Sequence, residues 1–202
     1  MTRIKLCGLS RSCDIEAANE LRPEYIGFVF AKNSRRYVNP EKARELKGMI
    51  APGILAVGVF VDEAPETVAE LLNGNVIDIA QLHGKEDVRY IRRLRQLTDK
   101  PLIKAFRINS DTSVTSIEEC PADHILLDSG AGSGTVLDWQ ELRNIQRPYF
   151  LAGGLTTENV ADALRILHPC AVDVSSGIET GGVKDKKKMA AFVAAVRKED
   201  SI

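Results

Sequence analysis

The sequence predicts a single-domain (β/α)8 barrel spanning residues 1–202, on three observations. Short β-type apolar runs alternate with longer stretches of helical spacing, eight times along the chain. The first run leads into CGLSRS, not into the glycine-rich turn and distant acidic residue of a doubly wound nucleotide-binding sheet. A length of 202 residues lies at the short end of the barrel range, so loops must be brief and no second domain fits. No linker, low-complexity tract or repeat beyond the β/α unit interrupts the pattern.

In order, the first strand is Arg3–Cys7 (RIKLC), where Ile4 and Leu6 alternate with Lys5 and Cys7, followed by a helix over Asp14–Leu21. Tyr25–Phe30 (YIGFVF) and Leu55–Val61 (LAVGVFV) are continuous apolar runs, as strands buried on both faces should be. Helices opened by proline at the first turn follow them, Pro40–Gly48 and Pro65–Leu72. Ile77–Leu82 (IDIAQL) precedes a helix over Glu86–Leu97, and Leu102–Phe106 (LIKAF) precedes the weakest helical segment, Ser113–Glu119. His124–Leu127 (HILL) is followed by Val136–Arg143, Tyr149–Ala152 (YFLA) by Thr157–Leu167, and Ala171–Val174 (AVDV) by Lys186–Arg197.

Composition narrows the function. Hydrophobic residues make up 44% and charged residues 27%, the balance of a folded globular chain. The formal net charge of −1 supplies no field for nucleic acid or an anionic membrane, so neither is expected as a partner, and an anionic ligand must be held by local donors. With no basic-plus-apolar leader and no run of 18 apolar residues, a cytoplasmic location is expected. Cys7, Cys13, Cys120 and Cys170 are too scattered for a metal site or a disulfide framework and read as reduced thiols.

A barrel places its active site where strands end and loops begin. Those ends carry Lys5, Cys7 and Gly8; Ser34, Arg35 and Arg36; Asp62; Gln81 and His83; Lys104 and Arg107; Asp128; Gly153 and Gly154; then Asp173, Ser175, Ser176 and Gly177. Taken singly, each has a plain structural reading as a cap, a turn or a solvated side chain; their joint placement on one rim argues for a site. AGGL at Ala152–Leu155 and SSGIE at Ser175–Glu179, after the last two strands, offer backbone N–H groups, hydroxyls and the start of a short extra helix, the usual barrel cradle for a phosphate. A third glycine-bearing loop, Gly130–Gly134, is a candidate lid.

From opposite walls, a thiolate at Cys7 and a carboxylic acid at Asp128 form an acid/base pair, the base taking a proton from carbon and the acid giving one to oxygen. A free thiol, with a reference pKa of about 8.5, needs a cation or amide dipole to act, and Lys5 is the candidate cation. Covalent catalysis through Cys7 with His83 lacks a third orienting group, and no spacing demands a metal among Cys7, His83 and Asp128.

Together these segments resemble the phosphoribosylanthranilate isomerase family over nearly the whole chain: KLCGL, FVFAKNSRRYV, VGVFVDE, QLHG, LLDS, GSG with LDW, LAGGLTTENV and VDVSSGIE, in order and at barrel spacing. The resemblance implies a cofactor-free Amadori rearrangement of N-(5-phosphoribosyl)anthranilate in tryptophan biosynthesis, a small-molecule phosphoribosyl substrate, and a monomer or a homodimer. It implies Asp128 as the acid that protonates the ribose ring oxygen and Cys7 as the base that removes the proton from the adjacent sugar carbon. It implies Arg36 for the anthranilate carboxylate, and Gly154, Ser176 and Gly177 in the phosphate loops with Gly153, Asp173 and Ser175 beside them; Lys5 and His83 complete the expected binding set. The departures, Ser133 and Leu137 in GAGSGTVLDW and the GGVKD loop, touch neither acid nor base. Alternatives are another phosphosugar isomerase or epimerase barrel, which would favour carboxylate pairs, or a non-catalytic phosphosugar-binding barrel, which would not need both Cys7 and Asp128.

Overall fold

The structure, a computed structural model, describes residues 1–108, 113–130 and 145–201. Eight parallel strands form a closed barrel in chain order: β1 (Arg3–Cys7), β2 (Tyr25–Val29), β3 (Leu55–Phe60), β4 (Ile79–Leu82), β5 (Leu102–Arg107), β6 (His124–Asp128), β7 (Tyr149–Ala152) and β8 (Ala171–Val174). The seam is β8 on β1, where Lys5 is the register partner of Asp173. The helices between are α1 (Ser12–Leu21), α2 (Pro40–Lys47), α3 (Pro65–Asn73), α4 (Val88–Arg95), α5 (Val114–Glu118), α6 (Val160–Leu167) and α7 (Lys186–Glu199). The helix expected at Val136–Arg143 lies outside the described residues. Among the described residues, no helix is long and apolar enough to cross a membrane.

Local chemistry explains the boundary shifts. β4 begins at Ile79, two residues later than expected, because Asp78 is spent on the loop, accepting the Ala56 N–H (2.7 Å) and the Lys47 ammonium. α4 starts at Val88 because Asp87 is its cap, accepting the Tyr90 N–H at 2.9 Å. Glu86, expected inside that helix, is instead buried and bonds the N–H groups of Asp62 and Gly84 and the Lys104 ammonium. Lys104 therefore faces away from the barrel interior, although the sequence places it at a rim position. α6 starts late because Thr156 and Asn159 close a turn ahead of it. After β8, a hairpin of β9 (Glu179–Thr180) and β10 (Val183–Lys184) turns on Gly181 and Gly182, both at positive φ. Nothing in the apolar pattern signals it.

Strand alternation divides the core in two. Ile4, Leu6, Ile26, Phe28, Leu127 and Leu151 belong to the large outer cluster packed against the helices. Tyr25, Val57, Ile79, Ile103, Leu126 and Phe150 belong to the cluster that fills the barrel, with the Tyr25 and Phe150 rings 5.4 Å apart. Cys7, Val29 and Val59 cluster separately and line the mouth. A barrel packed in layers leaves chemistry to its mouth alone. Phe150→Ala, which opens a void inside the barrel, is expected to cost about 3–5 kcal/mol, whereas Ile166→Ala on the exposed side of α6 stays within about 0.5 kcal/mol; urea unfolding midpoints measure both.

Candidate active site

A cavity of about 410 Å³ opens at the C-terminal ends of the strands, walled by Cys7, Arg36, His83, Asp128, Gly154 and Ser176 among others. Gly153, Asp173 and Ser175 also line it, so nine of the expected site residues share one wall, and Lys5 and Gly177 lie outside its lining. A cavity of about 470 Å³ at the opposite end of the barrel is lined by Met1, His168 and Cys170, among others, and has none of this set. All four cysteines are free thiols. Among the described residues, no group of three or more His, Cys, Asp or Glu is placed to hold a metal ion.

Cys7 ends β1, and its position is made possible by Gly27 on β2, its register partner: a Cβ at Gly27 would stand 2.6 Å from Cys7 Sγ. Two residues earlier on the same face, Lys5 is fully buried and its Nζ donates to both carboxylate oxygens of Asp173 at 3.0 Å. Burial alone would lower the Lys5 ammonium, but Asp173 and the nearby thiol raise it above the ordinary lysine value. The Cys7 thiol is also pushed up, by burial first and by the Asp173 charge second, against the weaker pull of Lys5 and Lys184. Of the roles open to Lys5 from sequence, the structure shows a buried ion pair, with Asp173 as its carboxylate, and the net push on the Cys7 thiol is upward.

Asp128 ends β6 on the other wall. Its Oδ2 lies 3.1 Å from His83 Nε2, and its Oδ1 accepts the Gly130 N–H at 3.0 Å. Burial works to raise this carboxyl, yet the hydrogen bonds from His83 and Gly130 and the charges of His83 and Arg107 leave it below the usual aspartate range. His83 Nδ1 lies in turn 2.9 Å from Gln81 Nε2.

Arg36 reaches the site with one edge already engaged. Its Nε and Nη2 donate to Glu179 Oε1 (2.6 Å) and Oε2 (2.9 Å), a bidentate pair, leaving the outer guanidinium edge for a second carboxylate. Arg35 and Lys184 also bond Glu179, each at 2.7 Å, so three cations surround one acid. Lys184 further donates to the Ser175 carbonyl at 2.9 Å, tying β10 to the loop after β8. Burial would raise the Glu179 carboxyl; Arg36 and Lys184 hold it down to about 2. Sequence reasoning missed Glu179 and Lys184, although the first closes the SSGIE motif.

The loops after β7 and β8 meet closely. Gly153 has φ +94°, and a Cβ there would stand 2.4 Å from Ser129 Oγ and 2.7 Å from Asp128 Oδ1. The expected short helix after β8 is a single 3₁₀ turn, Ser176–Ile178, whose first N–H groups fall outside its own ladder. The proposed Gly130–Gly134 lid lies outside the described residues beyond Gly130.

With this geometry established, comparison with known proteins is decisive. The family model for N-(5'-phosphoribosyl)anthranilate (PRA) isomerase matches residues 4–195. The chain belongs to this family of isomerases. An N-(5'-phosphoribosyl)anthranilate isomerase of Acetivibrio thermocellus is 42% identical over 214 residues, covering 99% of this chain and 98% of that protein. The phosphoribosyl anthranilate isomerase structure from Thermus thermophilus superposes with a TM-score of 0.86 at 34% identity, covering 98% and 99% of the two chains. A phosphoribosyl anthranilate isomerase solved in complex with reduced 1-(o-carboxyphenylamino)-1-deoxyribulose 5-phosphate gives 0.84 at 31% identity, covering 98% and 100%.

The Glu179 cluster carries a pH signature. A carboxyl lowered on folding adds stability that is complete above its unfolded value, about 4.5, and lost as the pH falls through about 2. At neutral pH Glu179→Gln is expected to lose about 3 kcal/mol, because it leaves the buried Lys184 ammonium unpaired. The gap between variant and wild type should narrow between pH 4.5 and 2, read from urea midpoints across that range.

Proposed function

We propose that this chain converts N-(5'-phosphoribosyl)anthranilate to 1-(2-carboxyphenylamino)-1-deoxyribulose 5-phosphate in tryptophan biosynthesis, with Asp128 as general acid and Cys7 as general base. The observation that carries this reading is one cavity walled at once by a thiol, a carboxyl and the two glycine- and serine-bearing loops. Protonated Asp128 gives its proton to the ribose ring oxygen as the C1–O bond breaks, leaving a protonated imine at C1. The Cys7 thiolate removes the proton from C2, and that electron pair forms the C1–C2 double bond of the enolamine. The enolamine takes a proton at C1 and loses its enol O–H proton to become the ketone, so the reaction is proton-neutral overall. Phosphate is held by the backbone of Gly153, Gly154, Ser176 and Gly177 with Ser175 alongside, and the anthranilate carboxylate by the outer edge of Arg36.

Two placements refine the set inferred from sequence. Lys5 and Asp173 act as a buried pair beneath the base, and His83 acts on Asp128.

The substrate, generated in situ from anthranilate and phosphoribosyl pyrophosphate, loses its fluorescence on conversion. Purified wild-type protein without added metal is expected to accelerate that loss. Cys7→Ser and Asp128→Asn should each lower kcat by about 10²–10⁴-fold, the usual contribution of a general acid or base. An inactive wild type contradicts the function; full activity in both variants contradicts the assignment of acid and base.

A further inference from the structure

Gln81, on β4, is 1% exposed, and its Oε1 is the one buried side-chain oxygen or nitrogen among the described residues that has no hydrogen-bond partner. An unpaired amide oxygen beside a polar cavity costs about 1–3 kcal/mol and calls for an explanation. The partner of its other end supplies one. With Gln81 Nε2 donating to His83 Nδ1, the imidazole keeps its proton on Nε2 and donates it to Asp128 Oδ2, an arrangement that favours the carboxylate as the stronger acceptor. That arrangement suits Asp128 after it has given its proton away.

A second arrangement uses the same heavy atoms. If the amide turns over, Oε1 takes the place of Nε2 and accepts a proton on His83 Nδ1. Nε2 is then a bare acceptor, and it receives the O–H of a protonated Asp128. Each arrangement leaves one amide end unpartnered, so the amide itself biases neither. A hydrocarbon at position 81 would fix neither tautomer, and a carboxylate there would keep a proton on Nδ1.

We propose that Gln81 is a positioning residue whose amide turns over to set the tautomer of His83, and so lets Asp128 be held either with or without its proton. This deepens the reading of Asp128 as the acid and rests on it. Besides His83, the charged or titratable groups facing the same cavity are Arg107, which acts on the Asp128 charge, and Cys7, Arg36 and Asp173 in the cavity wall.

The chain has three histidines, so ¹⁵N-histidine labelling resolves His83 with a His83→Asn control. In the ligand-free wild type at neutral pH, His83 should carry its proton on Nε2. In Gln81→Glu the proton should sit on Nδ1. Gln81→Leu should lower kcat at least about tenfold with KM nearly unchanged, and move the pH profile of kcat, a fraction of the acid's full contribution. A wild-type His83 protonated on Nδ1, or a Gln81→Glu protein whose His83 Nδ1 carries no proton, overturns the proposal. So does a folded Gln81→Leu enzyme with the wild-type kcat and pH profile. Should Gln81→Leu fail to fold, the tautomers of the wild type and Gln81→Glu decide the matter. The tautomer arm needs no turnover, so an inactive wild type would refute the proposed reaction without settling this one.

Discussion

The site depends on the buried ion pair between Lys5 and Asp173. These residues are register partners across the β1/β8 seam, so the contact that closes the barrel also sets the charge beneath its mouth. Two charges taken out of water are costly and are tolerated only when each meets the other with good geometry, as Nζ does by reaching both carboxylate oxygens. Lys5 is held by the pair, and its pull on the Cys7 thiolate is outweighed by burial and the Asp173 charge. The cost falls on Cys7, two residues further along the same face, which is buried beside the pair.

The mouth is thereby split into regions of different character. On the β1 side, burial and Asp173 favour a neutral sulfur. On the β6 side, hydrogen bonds favour a charged oxygen at Asp128 despite its burial. At the rim, Arg35, Arg36 and Lys184 surround Glu179 and leave a local excess of positive charge, although the whole chain carries only −1. Attraction of an anion to this rim would need only the local cluster and no global field.

The barrel was legible because its strands are buried on both faces. Runs such as YIGFV and LAVGVF admit few other readings, and strand alternation alone puts Lys5 and Cys7 on the inner face. Boundaries moved where one polar side chain was recruited locally, as Asp78 is in bracing β3 and Asp87 in capping α4. The catalytic candidates were legible as residue types at strand ends. Glu179 was not, because its partner Arg36 lies 143 positions away and no periodicity links them. Gln81 opens the QLHG segment but carried no signal of its own, since an amide on a strand has no distinctive chemistry until its partners are seen. The role of Lys5 stayed open for a related reason: the sequence shows a lysine two residues from Cys7 and not that Asp173, 168 positions away, pairs with it.

The most direct test of this account is the pH dependence of Cys7 alkylation in the free protein, followed by mass spectrometry of the peptide carrying it. The ion pair predicts slow modification with a midpoint above that of an ordinary exposed thiol, and a lower midpoint in Asp173→Asn, where Lys5 is left uncancelled. A wild-type midpoint at or below the ordinary value, about 8.5, would contradict the account.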